Sequence, residues 1–310
     1  MPIPLGVLAV AGAGGGVAKF GYFGGGLNSS STRVATVDKF SFPDDTRTTL
    51  GTGLSEARRR LAGAANSAVA GYFAGGEAST GRSSVVDKFA FPSDTRTTLS
   101  PGLPATRDFI SGMANSGTAG YFGGGNAGVT TVYKLAFSDD TFSTLATGLS
   151  ASRTQTAAMA NSGTAGYFAG GQSSGNPVST VDKFAFSDDS RSTLATGLSA
   201  ARQNPAGMAN SGVAGYIAGG SLITSEDSNV DKFAFPSDTR SSIDTLSITR
   251  GFPGAMANSG VAGYVGGGLT SGSFASSVDK YAFPSDTRSS TTDLSAAVHS
   301  LAGFADSGIL

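Results

Sequence analysis

The chain has 310 residues, of which 46 are glycine, about twice the usual share of roughly 7%, and only 14% are charged. A formal charge of −1 leaves no basic excess to neutralise a run of phosphates, which argues against nucleic acid as a partner. The chain has no cysteine, which excludes disulfides, thiolate nucleophiles and cysteine-ligated zinc, and no apolar run approaches the ~18 residues of a membrane helix, so no membrane insertion is expected.

Residues 1–14 (MPIPLGVLAVAGAG) are apolar. No Lys or Arg precedes the apolar stretch, and it is short for the core of a secretory leader, so the leader pattern is incomplete. An exposed apolar arm of this kind is expected either to dock on a partner or mediate oligomerisation, or to be itself a strand of the first blade. From residue 15 onward a single phrase returns six times: GYFGGG from Gly21, GYFAGG from Gly71, GYFGGG from Gly120, GYFAGG from Gly166, GYIAGG from Gly215 and GYVGGG from Gly263. Its tyrosines (Tyr22, Tyr72, Tyr121, Tyr167, Tyr216, Tyr264) lie 50, 49, 46, 49 and 48 residues apart. The glycines therefore mark turns of a repeated unit. A period near 50 with four short apolar runs per unit predicts an all-β, six-bladed β-propeller over residues 15–310, with four antiparallel strands in each blade.

The unit that opens at Arg153 illustrates the division. Strand a, Ala157–Ala160, is small and apolar; the turn Asn161-Ser162-Gly163 leads to strand b, Ala165–Ala169, which ends in the double glycine. Strand c, Thr180–Phe186, carries β-branched and aromatic residues, and an acidic turn precedes strand d, Arg191–Leu194. Strands nearest a propeller axis crowd together and accept only small side chains. AGAA, SGMA, AAMA, AGMA and GAMA fit that place, and Met113, Met159, Met208 and Met256 share one slot there as flexible fillers between blades. The strand c aromatics Phe40, Phe89, Phe184, Phe233 and Tyr281, with Leu135 as the exception, are expected to pack blade on blade. The last residues, Leu301–Ser307 (LAGFADS), read as a strand a with no strand b after it, whereas the first unit has a strand b with only a poor strand a before it. The chain end is therefore predicted to complete the first blade and so to remove two open edges.

The order Arg, strand, GYxxGG, loop, VDKFxF, turn, strand, GL, xxR resembles the kelch repeat. The double glycine is present in all six units. The strand c aromatic is present in five, as is the arginine, at Arg58, Arg107, Arg153, Arg202 and Arg250. The strand d tryptophan of that family is absent, and Thr-Thr-Leu or Ser-Thr-Leu stands in its place. The wording GYFAGG…VDKFxFxxDT is also similar to kelch-like repeats in cyanophage and other marine phage structural proteins. Kelch-type propellers include a copper radical oxidase, but its histidine ligands and Cys–Tyr cofactor have no counterpart in a chain with one histidine and no cysteine.

No residue pattern here marks an enzyme. Paired, environment-tuned carboxylates would be needed for glycoside chemistry. The carboxylates at Asp38, Asp87, Asp182, Asp231 and Asp279 recur at one slot and read as blade-to-blade hydrogen-bonding devices, and the Asp94–Arg96, Asp189–Arg191, Asp238–Arg240 and Asp286–Arg288 pairs read as turn fixtures. Only three glutamates exist, Glu56, Glu77 and Glu226. The adjacent Glu226-Asp227 lacks the further oxygen ligands a cation needs, so no metal and no cofactor is expected. His299 aligns with Gln203 and reads as a loop residue. Because the strands alternate in direction, the b–c and d–a loops share one face. There the five arginines are expected around a channel mouth, either binding an anion or pairing with blade carbonyls and Asp.

The a–b turns copy one another, whereas the b–c loops differ in every blade, which makes that face the expected binding face. Arg33, Arg82, Asn126, Asn176, Glu226, Asp227 and Phe274 are its candidate residues. Together these features point to a non-catalytic recognition or assembly protein, on a phage virion (tail or surface) or otherwise extracellular, whose partners are other virion or structural proteins or a host surface glycan. A polysaccharide lyase or glycosidase and an intracellular kelch adaptor are the competing readings.

Overall fold

From its second residue onward, each VDKFA run alternates buried and half-exposed positions, the period of two that a pleated strand imposes, and each folds as a five-residue strand. The computed structural model describes residues 19–126 and 129–308; the apolar arm at 1–14 lies outside the described residues. Among the described residues there is no helix, and six four-stranded antiparallel sheets form the blades of a β-propeller. In blade 4 the strands are Ala157–Asn161, Ala165–Ala169, Val181–Ala185 and Arg191–Thr193, close to the boundaries read from the sequence. Strand a of blades 2, 3, 5 and 6 is Ala62–Asn66, Ser111–Asn115, Ala206–Asn210 and Gly254–Asn258.

Blade 1 closes the ring as the sequence predicts. Its strand a is the C-terminal Ala302–Ala305, paired antiparallel with strand b at Phe20–Gly24 in the register Tyr22 to Phe304, and strands c and d are Val37–Ser41 and Thr46–Thr49.

The inner strands pack so closely that backbone faces backbone. A Cβ on Gly207 would lie 1.9 Å from the Ala158 carbonyl oxygen, and one on Gly63 would lie 2.0 Å from that of Gly303. The methionine slot has the same logic. Met113 fills the space in front of Gly166 of the next blade, where a Cβ would come within 2.3 Å of its sulfur; Met159, Met208 and Met256 meet Gly215, Gly263 and Gly21 at the same distance. In four of the six blades the glycine before the repeat tyrosine is thus a requirement of the preceding blade's methionine. Two slots differ: Phe304 faces Gly71, and at Gly120 a Cβ would stand 3.2 Å from Phe122, 3.4 Å from Phe137 and 3.5 Å from Ala64, close to ordinary contact.

The tyrosines carry the interface outward. Tyr22 stacks on Phe91 of the next blade (ring centroids 5.5 Å) and donates its hydroxyl to Asp94 at 2.7 Å, while Lys39 binds the other oxygen of Asp94 at 2.6 Å. The arrangement repeats around the ring through Tyr72 and Asp140, Tyr121 and Asp189, Tyr167 and Asp238, and Tyr216 and Asp286, and it crosses the closure from Tyr264 to Asp45. These aspartates have positive φ between 56° and 59°, a conformation that Asp tolerates better than most residues. Burial, then the aspartate hydrogen bond, raises the phenol pKa values, so the tyrosines remain donors. The turn aspartates therefore grip the preceding blade instead of the arginine two residues on; Arg96 reaches back separately to the Gly53 carbonyl at 2.8 Å.

Two outcomes are expected. Gly166→Ala should lose about 1–3 kcal/mol to overpacking against Met113, whereas Gly120→Ala, facing Ala64, should change stability by less than about 1 kcal/mol, as urea melts would show. Removing all residues after Asp293 deletes strand a of blade 1 and should abolish cooperative unfolding; a truncated chain with an unchanged melting transition would contradict the closure.

Candidate functional site

The two faces of the ring are built differently. On the face of the a–b turns, side chains and backbone bind one another in a circuit. Ser67, Ser116, Ser162 and Ser211 each donate a backbone N–H to the serine hydroxyl of the next blade at 2.9–3.0 Å. Asn66, Asn115, Asn161 and Asn210 accept from the glycine N–H of the next turn at 2.8–3.0 Å. The Asn-Ser-Gly uniformity read from the sequence is thus a structural need.

On the opposite face the d–a returns meet the b–c loops. The double glycine makes this possible: its first residue has φ of 61–69° and its second 96–115°, the latter open essentially to glycine alone. The second glycine donates to the return of the following blade, as Gly26 does to the Arg58 carbonyl at 2.8 Å. Two residues after each arginine slot stands a second circuit. Arg60, Phe109, Gln155, Asn204, Phe252 and Ser300 each donate their N–H to the carbonyl of the equivalent residue one blade earlier, at 2.7–3.2 Å, and Arg60 bonds Ser300 to close it. All six have φ between 53° and 61°. For residues other than Asn this costs on the order of 1 kcal/mol each and persists because the circuit enforces it. The circuit frames the mouth of the axial channel, a cavity of about 110 Å³ lined below by the small residues of strand a.

The same frame presents different side chains. Phe109 and Phe252, from blades three apart and hence on opposite sides, meet with ring centroids 6.5 Å apart. The Arg60 guanidinium lies 4.0 Å from the Phe109 ring centre, and Asn204 donates from its amide to Gln155 at 2.7 Å. His299 contacts Phe252 and Phe274 edge-on at 5.5 and 4.6 Å. Beside this cluster lies a charged sector: Arg33, Arg59 and Arg60 bind Glu77, and Arg60 and Arg82 approach Asp108 at 3.8 and 3.2 Å. Burial alone would raise the Glu77 carboxyl, but hydrogen bonds from Arg59 and Arg33 hold it below its usual value. His299, by burial and then by the charges of Arg59 and Arg60, is pushed down to about 4.

The structure revises several placements. Arg58, Arg153, Arg202 and Arg250 do not line the channel mouth. They are 0–1% exposed and pair with Asp87, Asp182, Asp231 and Asp279 at 2.5–2.9 Å, while their guanidiniums also donate to backbone carbonyls such as Gly170 and Thr180. These aspartates fasten each return to strand c of the blade it leads into, for example by accepting from Ser150 N–H at 2.9 Å. Arg107 is the exception. Tyr133 replaces the aspartate of blade 3, and Arg107, half-buried, bonds its hydroxyl at 3.2 Å.

Asp227 is likewise buried and binds Arg202 at 2.7 Å, so the Glu226-Asp227 pair is split; Glu226 instead accepts from Ser271 N–H at 3.4 Å. Among the described residues, no group of three or more His, Asp or Glu is placed to hold a metal. His299 is not a loop residue; it pairs with Leu27 in a short buried strand, with its Nδ1 2.9 Å from the Ser300 hydroxyl. Arg33, Arg82, Asn126, Asn176, Glu226 and Phe274 do lie on the b–c loops or their small hairpins, with Arg82 46% exposed and Asn176 exposed. The sequence patterns do not mark the mouth residues Phe109, Gln155, Asn204, Phe252 and Ser300. Their signal is one variable column two places after the arginine slot.

His299 is the chain's single histidine, which isolates its titration. Its folded pKa lies below the ordinary ~6.5, so the unfolded chain takes up a proton first, and the stability this contributes is full above ~6.5 and lost as pH falls towards 4. His299→Gln should flatten the fall in stability between pH 6.5 and 4.5, read from melts across that range. Compared with known proteins, the chain matches no family model and no curated sequence.

Proposed function

We propose that this chain is a non-catalytic recognition or assembly module that binds through the face of the b–c loops and the channel mouth. One observation carries the reading: six equivalent backbone positions, locked in one hydrogen-bonded circuit, present Arg60, Phe109, Gln155, Asn204, Phe252 and Ser300, whereas the opposite face repeats one turn. A repeat under purely structural constraint would have no reason to hold bulky side chains in left-handed conformations at the mouth. Rigid scaffolds commonly carry binding residues on such variable positions. The carboxylates at the mouth, Glu77 and Asp108, are each engaged by arginine, which suits electrostatic presentation rather than proton transfer. Within this reading, the similarity of the repeat wording to phage structural proteins favours a virion or extracellular setting, with another structural protein or a host surface glycan as partner.

The test compares two variant sets for binding to isolated cell-surface polysaccharides and to purified virion proteins. Replacing Arg82, Glu226 and Phe274 together should weaken binding with little change in melting temperature. Replacing the exposed Val69, Val213 and Val261 of the other face with Thr should leave binding intact. Binding lost only in the second set would assign the wrong face, and release of new reducing ends during incubation would refute the non-catalytic reading.

A further inference from the structure

Four guanidinium groups, Arg33, Arg59, Arg60 and Arg82, share two carboxylates, Glu77 and Asp108, on a chain whose overall charge is −1. The local excess of positive charge is confined to one side of the mouth and directly adjoins the Phe109–Phe252 pair, because Arg60 belongs to both. Across the mouth stand the linked amides of Gln155 and Asn204; the bond between them uses the Gln155 carbonyl oxygen and one Asn204 N–H, which leaves the Gln155 amide N–H groups to donate and the Asn204 oxygen to accept. The backbone offers an incoming chain little here, since the N–H groups and carbonyls of the six mouth residues are already joined to one another. An extended peptide bound by strand addition would need those groups.

We propose that the mouth is a subsite for an acidic sugar residue, its ring lying against Phe109 and Phe252, its carboxylate on Arg59 and Arg60, and its hydroxyls on Gln155 and Asn204. The inference rests on the recognition reading above and specifies its ligand class. A phenyl face is weakly negative and attracts the polarised C–H groups of a sugar ring. A guanidinium binds a carboxylate through charge-assisted hydrogen bonds, and a stacked one is already oriented for it. The amides match hydroxyls as both donor and acceptor. The left-handed conformations of Phe109 and Phe252 (φ 54° and 57°) fit this assignment, since they hold two bulky rings where Asn, as at Asn204, would be less strained.

That contrast supplies the test. Phe109→Asn and Phe252→Asn place the residue of blade 5 in the same frame, and Arg60→Gln places that of blade 4, so each variant is expected to fold, with circular dichroism and melting temperature as the check. Calorimetry with a panel of carboxylated oligosaccharides (oligogalacturonate, oligoalginate, sialyllactose) against the full chain should show binding that methyl esterification of the probe weakens by about tenfold or more. Arg60→Gln should remove most of the preference for the free acid over the ester. The Phe109→Asn, Phe252→Asn double variant should weaken both by about tenfold without loss of melting temperature. No binding to any member of the panel by the folded chain overturns the acidic-sugar assignment while leaving the choice of face standing. Binding that survives all three mouth substitutions overturns the subsite, and if it is lost on substitution of Val69, Val213 and Val261, it overturns the face as well. Binding of a carboxyl-terminal peptide probe in place of the saccharides, lost with the same variants, assigns the mouth to peptide and refutes the proposal.

Discussion

Every blade is held to the next by one tyrosine that acts in two ways. Its ring stacks on a phenylalanine of the following blade, and its hydroxyl shares an aspartate of that blade with a lysine of its own. Each half by itself is modest. A stacked pair is worth about 0.5–1.5 kcal/mol beyond its buried area, and a partly exposed ion pair contributes little. Together they fix the angle and spacing between sheets. With those fixed, the inner strands must approach until only glycine and alanine fit between carbonyls, and methionine fills what remains in front of the glycine before the next tyrosine. The pattern closes without a defect from Tyr264 and Lys280 to Asp45, so the last blade meets the first as any two neighbours meet.

A ring built this way has two ends, and the chain treats them differently. One end spends its serine and asparagine side chains on joining turns, which leaves little chemistry to vary. At the other end a closed circuit is made by backbone alone, through residues held at positive φ, and does not depend on which side chains those residues carry. Variation at those six positions therefore costs strain but leaves the backbone circuit between blades intact. The division of labour is a physical reason for one face to diverge while the other stays uniform.

The irregular positions change in matched pairs. Where strand c of blade 3 carries Tyr133 in place of aspartate, its arginine, Arg107, leaves the buried position its counterparts occupy. An unpaired guanidinium buried as deeply as Arg153 would be strongly unfavourable. In blade 5 the carboxylate of Asp227 is supplied to Arg202 where other blades use a glycine carbonyl. In blade 1 the arginine slot holds Val298, and Asp38 is instead satisfied by Ser295 and Thr49. In each departure the buried charge keeps a polar partner.

The sequence by itself determined the architecture, because a propeller writes its period, its turns and its crowded inner strand directly into the chain: the tyrosine spacing, the double glycine and the unpaired LAGFADS segment were enough to place six blades and their closure. It also separated the variable loops from the uniform turns. It did not decide which polar residues face solvent. Five arginines at one slot looked the same in the chain whether they ringed a channel or lay buried, and the burial of Arg58, Arg153, Arg202 and Arg250 follows from an aspartate about 29 residues away in each case. Likewise nothing local distinguishes Phe109 and Phe252, 143 positions apart in the numbering. Only closing the ring sets those two blades opposite each other and brings their side chains together over the axis, because contact across a ring depends on the number of blades and not on any neighbour in the chain.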